Sequence, residues 1–209
     1  MADYGSSKLC MNRIRRIWLK RMGLVGLGEL FVGGGEDVIS QHRKPQDSRS
    51  LSNDMRTFHE QSMHEAIRQA RRNLLYPFGT VISNSTTGEI LAHGVNTSSR
   101  HPMFHGEVVA INDYVAQYGN HGWADTTLYT TGEPCPMCMS AIAWAGIGGV
   151  VWASSIHIIR QSGIPQIDLG AREVATRATS FYRPSVFVGG VLAGLTDQMF
   201  LSRRPNKTQ

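Results

Sequence analysis

The stretch from Thr127 to Cys138, TLYTTGEPCPMC, decides the fold. Thr127 to Thr131 alternates like a buried strand, and from Cys135 a helical pattern runs to Ala145. The chain thus passes from a strand into Pro134-Cys135-Pro136-Met137-Cys138. That order sets two thiols three positions apart on one face of a helix start, where the helix N-terminus favours their thiolate forms.

Upstream, His105-Gly106-Glu107 opens a second helical pattern that reaches Tyr118. One imidazole and two thiolates match the ligand count of a catalytic zinc, which takes three protein ligands and keeps a fourth position open for water. His105, Cys135 and Cys138 are therefore the expected ligands of one Zn2+ per subunit. Glu107 stands two residues beyond the histidine, near enough to move protons without ligating. A structural zinc ribbon would need a closed fourth ligand, for which His101 and Cys10 are the nearest candidates. A redox C-x-x-C would leave His105-Gly106-Glu107 without a purpose.

Working outward, Phe58, Met63, Ile67, Ala70 and Leu74 recur at helical spacing and predict a first helix from Asp54 to Leu75, stopped by Pro77. Gly79 to Asn84 and Glu89 to Val95 are β-rich runs split by Ser85-Thr86-Thr87-Gly88, a hairpin pattern. Beyond the C-x-x-C helix come a strand from Gly149 to Ala153, a helix from Ala171 to Ala178, a strand from Ser185 to Gly189 and a final helix from Thr196 to Ser202. The alternation implies an α/β fold, a mixed sheet covered by helices.

The 209 residues, 41% hydrophobic and 18% charged, suit one globular domain with a tail. Six of the 21 basic residues crowd the first 21 positions, leaving 15 basic against 12 acidic over residues 41–209. A folded part so weakly cationic lacks the footprint of a dedicated nucleic-acid binder, so a small molecule is the expected partner. Arg203, Arg204 and Lys207 are the residues that could supply a basic track. Two of the three cysteines share the C-x-x-C step, which argues against a disulfide framework.

Ile14-Arg15-Arg16-Ile17-Trp18-Leu19-Lys20, followed by a glycine-rich run from Met22 to Gly35, resembles a bacterial twin-arginine export signal. It implies a periplasmic or exported protein; the alternative is a disordered extension on a cytoplasmic one. The run is short, broken by glycine and interrupted by Glu29, so no stable membrane span is expected. Residues 1–40 are thus read as the signal or extension, 41–53 as a linker, 54–204 as the zinc domain and 205–209 as a tail.

The joint pattern H-x-E followed by P-C-x-x-C is the signature of zinc deaminases of bases. With it, the region from Asp54 to Arg204 resembles the cytidine/deoxycytidylate deaminase superfamily, in the branch holding guanine deaminase, yeast-type cytosine deaminase and the tRNA adenosine deaminases. The resemblance implies three layers, α-β-α, with a mixed five-stranded sheet and the zinc between two helices. It also implies a homodimer whose partner helps close the pocket. The implied reaction is hydrolytic deamination of a nucleobase or nucleoside, with release of ammonia.

For the substrate, Pro77-Phe78-Gly79 is similar to the P-F-G of bacterial guanine deaminase, Asn96 to the family's base-contacting asparagine, and Trp144 to a guanine deaminase tryptophan that packs on the purine. Guanine or a similar aminoheterocycle is favoured; cytosine, or adenosine in tRNA, is the alternative. His101-Pro102-Met103-Phe104 departs from the usual D-P-T-A, and H-G-E is more like the cytosine enzymes than the H-A-E of the others. Asp168 is the nearest candidate for the second acidic residue of guanine deaminases. Glu133, directly before the P-C step, reads as a structural support for backbone amides.

Overall fold

Local side-chain caps mark where some of the helices begin, and burial of alternate faces sets how the elements stack. The computed structural model describes residues 46–203, so the expectations for residues 1–40 and for the 205–209 tail lie outside the described residues. Within the segment read as a linker, Gln46–Asp47 forms a two-residue strand, β1, followed by a 3-10 turn over Ser48–Ser50, with the Asp47 side chain accepting from Arg49 N. Ser52 then caps α1, Asn53–Ala70, by accepting from Met55 N at 3.3 Å.

Helix α1 ends five residues short of the predicted Leu75. Asn73 competes for the backbone: its Oδ1 accepts from Tyr76 N and its Nδ2 donates to Asn96 O, which turns the chain away from the helix axis. Leu74 is consequently 66% exposed and is not part of the buried face.

The hairpin forms as expected from β2, Gly79–Asn84, and β3, Ile90–Val95, with Gly88 at φ 75°, a conformation costly for any residue with a Cβ. Then follow α2, Gly106–Tyr118; β4, Thr126–Gly132; α3, Pro136–Ala145; and β5, Gly149–Ser154. The sequence pattern missed α4, Ile156–Gln161, a single short helix started by Ser155, whose hydroxyl accepts from Ile158 N. The chain closes with α5, Ala171–Arg177; β6, Val186–Gly189; and α6, Ala193–Leu201, which begins three residues earlier than predicted.

The strands make one mixed sheet in the order β1-β6-β5-β4-β2-β3. Five of them are the expected five; β1 adds a parallel edge pair beside β6. The β2 strand is antiparallel to both neighbours, whereas β4, β5 and β6 run parallel. Because successive strand residues face opposite sides, Ile82, Leu128 and Val150 pack with Tyr114 of α2 and Met139 and Ile142 of α3. Val81, Tyr129 and Val151 pack on the other side with Met63 and Ile67 of α1 and Met199 of α6. The result is three layers, with α2 and α3 starting beside the end of β4. Among the described residues no helix is long and apolar enough to cross a membrane.

Candidate active site

Two helix starts meet at the end of β4. His105 is the N-cap residue of α2 and Cys135 the N-cap residue of α3, both in extended conformation, with Pro136 at the first helical position. Cys138, one turn into α3, is fully buried. His105 Nδ1 lies 3.6 Å from Cys135 Sγ and 3.5 Å from Cys138 Sγ, and one ligand atom from each residue falls within 4.8 Å of the others.

These separations can be tested against a metal. Zinc–sulfur bonds of ~2.3 Å and zinc–nitrogen bonds of ~2.0–2.1 Å at tetrahedral angles put nitrogen and sulfur about 3.5 Å apart. The observed spacing fits. So does the charge: the hydrogen bond from Cys138 foremost, against the cost of burial, pulls the Cys135 thiol down to about 4, while the same bond and burial push Cys138 up. A lowered Cys135 thiol favours the thiolate, the form that binds a cation. The hydrogen bond with Cys135 holds the His105 imidazole above its usual range. Among the described residues the group has three members; of the two candidates for a ribbon's fourth ligand, His101 is exposed and accepts from Met103 N, and Cys10 lies outside the described residues.

Glu107 sits in the first turn of α2, 2% exposed, and burial lifts its carboxyl above the ordinary carboxylate range. Its Oε1 accepts from Thr130 Oγ1 of β4. Glu107, His105 and Cys135 open into a cavity of about 230 Å³ whose walls include Tyr76, Phe78, Asn96, Ile164 and Gln166.

Of the three residues expected to contact substrate, Phe78 and Asn96 line this cavity. Phe78 stands edge-on to Phe200 of α6 at 5.0 Å, and it fits because residue 132 is glycine: a Cβ there would lie 3.0 Å from the Phe78 ring and 2.9 Å from Ile159 Cδ1. Thr131 anchors the same segment, accepting from Gly79 N and donating to Pro77 O. Asn96 is 4% exposed, and its Oδ1 accepts from both Ser98 N, at 3.1 Å, and Ser98 Oγ, at 2.9 Å.

Two other expected residues are elsewhere. Trp144 lies outside the cavity, 78% exposed and stacked on Phe181 at 4.6 Å. Six residues carry it about 240° round α3 from Cys138, onto a different helix face. Asp168 is also outside; its carboxylate is 78% exposed and pairs with Arg160 at 2.5 Å. Glu133 does what its position suggested: Oε2 accepts from Ile156 N and Oε1 from Ala171 N, so one carboxylate caps the first residues of α4 and α5.

Sequence reasoning missed the rim. Ile164, Pro165 and Gln166 follow α4, the element the pattern did not show, and Tyr76 lies just past the predicted end of α1, in the turn that Asn73 makes. Arg203 ties these two loops together: Nε donates to Ser162 O at 2.9 Å, Nη1 donates to Leu75 O at 3.2 Å, and the guanidinium lies over the Tyr76 ring.

Residues 56–154 match the cytidine and deoxycytidylate deaminase zinc-binding region. A tRNA-specific adenosine deaminase of Streptococcus pyogenes is 40% identical over 98 residues, which are 44% of this chain and 60% of that relative's length. The guanine deaminase of Bacillus subtilis is 37% identical over 115 residues, covering 51% of this chain and 70% of the relative. The structure of guanine deaminase from Nitrosomonas europaea superimposes with a TM-score of 0.58 at 19% identity, over 82% of this chain and 94% of that one, a likeness of fold. With the three ligands, the buried glutamate and these matches together, the chain belongs to the cytidine and deoxycytidylate deaminase family.

Proposed function

We propose that the protein is a zinc-dependent hydrolytic deaminase that replaces the exocyclic amino group of a nucleobase or nucleoside with oxygen and releases ammonia, with guanine or a similar aminoheterocycle favoured. One observation carries the reading: two of the three clustered metal donors, His105 and Cys135, and a buried glutamate open together into a cavity walled by Phe78 and Asn96.

His105, Cys135 and Cys138 would hold the zinc, which when bound supplies a water made acidic enough to act as a nucleophile near neutral pH. Glu107 moves the protons: it accepts one from the attacking water and passes it to a ring nitrogen, then takes the second from the hydroxyl now on the ring carbon and delivers it to the departing amino group, which leaves as ammonia. Its burial raises the carboxyl's affinity for a proton, which suits a group that must hold one between steps. Asn96 is fixed by Ser98 with its oxygen occupied, so it offers its Nδ2 hydrogens to an acceptor atom on the base. Phe78 supplies an apolar wall for a flat ring. Asp168, exposed and paired with Arg160, has no part in this scheme.

The guanine preference is supported by the Bacillus relative's name and by Phe78 and Asn96 lining the cavity. The Streptococcus match favours a second reading, adenosine deamination in tRNA. That reading asks for a basic track beside the pocket, and Arg203 is already engaged by two carbonyls and a ring. Ammonia release from the zinc-loaded chain against guanine, cytosine, adenine, their nucleosides and a tRNA anticodon stem separates these readings. Turnover on guanine is expected; turnover confined to cytosine or RNA would overturn the preference.

The same proposal includes a homodimer, supported by the exposed Trp144–Phe181 stack, which sedimentation would register as twice the chain mass. It also includes export through the twin-arginine stretch at Arg15-Arg16, tested by fractionating cells that carry Arg15→Lys/Arg16→Lys.

A further inference from the structure

A glutamate whose last torsion is soft needs a partner to hold its carboxylate plane, and the sheet provides one. Thr80 of β2 and Thr130 of β4 are directly opposite each other in the antiparallel register. Both share strand parity with Ile82 and Leu128, so both face the layer that holds α2 and α3. Both are completely buried, where a hydroxyl without a partner is costly. Thr80 Oγ1 donates to Thr130 Oγ1 at 3.3 Å, and Thr130 Oγ1 donates to Glu107 Oε1 at 3.3 Å. Each hydroxyl carries a single proton. Thr130, accepting from Thr80, therefore has its own proton available for the carboxylate, and the chain of bonds runs one way, from sheet to glutamate. The branched Cβ of threonine restricts χ1 and keeps both hydroxyls on this line.

An independent feature points to the same arrangement. Residue 106, between His105 and Glu107, is glycine, and a Cβ there would lie 2.8 Å from Thr80 Oγ1 and 3.0 Å from Phe78 O. The space that a side chain at 106 would take is the space in which the Thr80 hydroxyl stands. The glycine of H-G-E thus has a physical reason in this chain.

We propose that Thr130 is a positioning residue for Glu107, the last member of a buried hydroxyl relay that begins at Thr80 and is accommodated by Gly106. The relay acts through the glutamate and touches no substrate; it rests on the reading of Glu107 as the group that moves protons. Losing it frees the carboxylate to rotate, which lowers the rate of the chemical step and leaves substrate binding alone.

The test uses the full chain, zinc-loaded, as Thr130→Val, Thr130→Ser and Thr80→Val, beside Glu107→Ala and Glu107→Gln. Turnover is measured on whichever of guanine, cytosine or the anticodon stem the parent deaminates. Thr130→Val is expected to lower kcat about tenfold with KM within about twofold of the parent. Thr130→Ser restores the rate, Thr80→Val gives a smaller loss, and zinc content is unchanged throughout. A second readout needs no turnover: the infrared carboxyl band of Glu107, assigned by its loss in Glu107→Gln, shifts in Thr130→Val and returns in Thr130→Ser. Parental kcat together with an unmoved band in Thr130→Val would overturn the relay. Retained turnover in Glu107→Ala would instead overturn the functional reading, and the infrared band would still decide whether Thr130 holds the carboxylate.

Discussion

The floor of the cavity and its rim are made by different means. The floor takes His105, Glu107 and Cys135 from two helix starts, backed by Cys138 and by Thr130 from the strand between them, all within one stretch of 34 residues. The rim takes Tyr76, Asn96 and Gln166 from three separate loops, and Arg203, beyond α6, joins two of these loops. Helix starts and strands are held by repeated backbone bonds, so the floor is fixed wherever the fold forms. The rim depends on a few single side chains that cap or tie, which leaves it as the part most open to change.

Removing a ligand tests the floor most severely. Cys138→Ala is expected to abolish zinc retention after dialysis, and with it all ammonia release; metal analysis of the purified variant checks this, and a parental zinc content would mean the donor set is different. Next comes the residue that links floor to rim. Glu133→Ala uncaps α4 and α5 together and should cost about 2–4 kcal/mol, from two charge-assisted bonds to helix N-termini, measurable by denaturant unfolding. An unchanged midpoint would show that both helix starts are satisfied otherwise.

At the rim the expected effects are smaller. Arg203→Ala should raise KM about fivefold, equivalent to roughly 1 kcal/mol, with kcat close to parental, because the loops bearing Tyr76 and Gln166 lose their tie and Glu107 does not. A fall in kcat with unchanged KM would place Arg203 with the floor. The smallest effect belongs to Trp144→Ala, where the loss of an exposed side chain should change chain stability by no more than about 0.5 kcal/mol. A large rise in KM would instead show that Trp144 reaches substrate in an assembled form.

The same contrast explains how much could be read from the chain. The floor was legible because metal chemistry demands particular residue types at fixed spacing, and strand alternation through Thr127 to Thr131 placed them. The five main strands and α2, α3 and α5 followed from periodicity to within a few residues. Strand β1, only two residues long, and α4, a single short helix, are too short to show a period. Asn73 ended α1 through bonds to Tyr76 and to Asn96, the second of them 23 residues away, a contact no local pattern reports. Trp144 was placed by likeness to a relative, and the helical angle from Cys138 puts it on another face. Thr130 was visible as a polar residue in a buried strand, yet its role appears only once the β2–β4 register sets it against Thr80.

The most direct measurement compares parent and Glu107→Gln side by side for zinc content and ammonia release. One zinc per chain in both, with turnover in the parent and a loss of about 10²–10⁴-fold in the variant, is the expected result. Turnover that survives in a variant still holding its zinc, or a parent that binds none, would contradict a zinc deaminase that relies on Glu107.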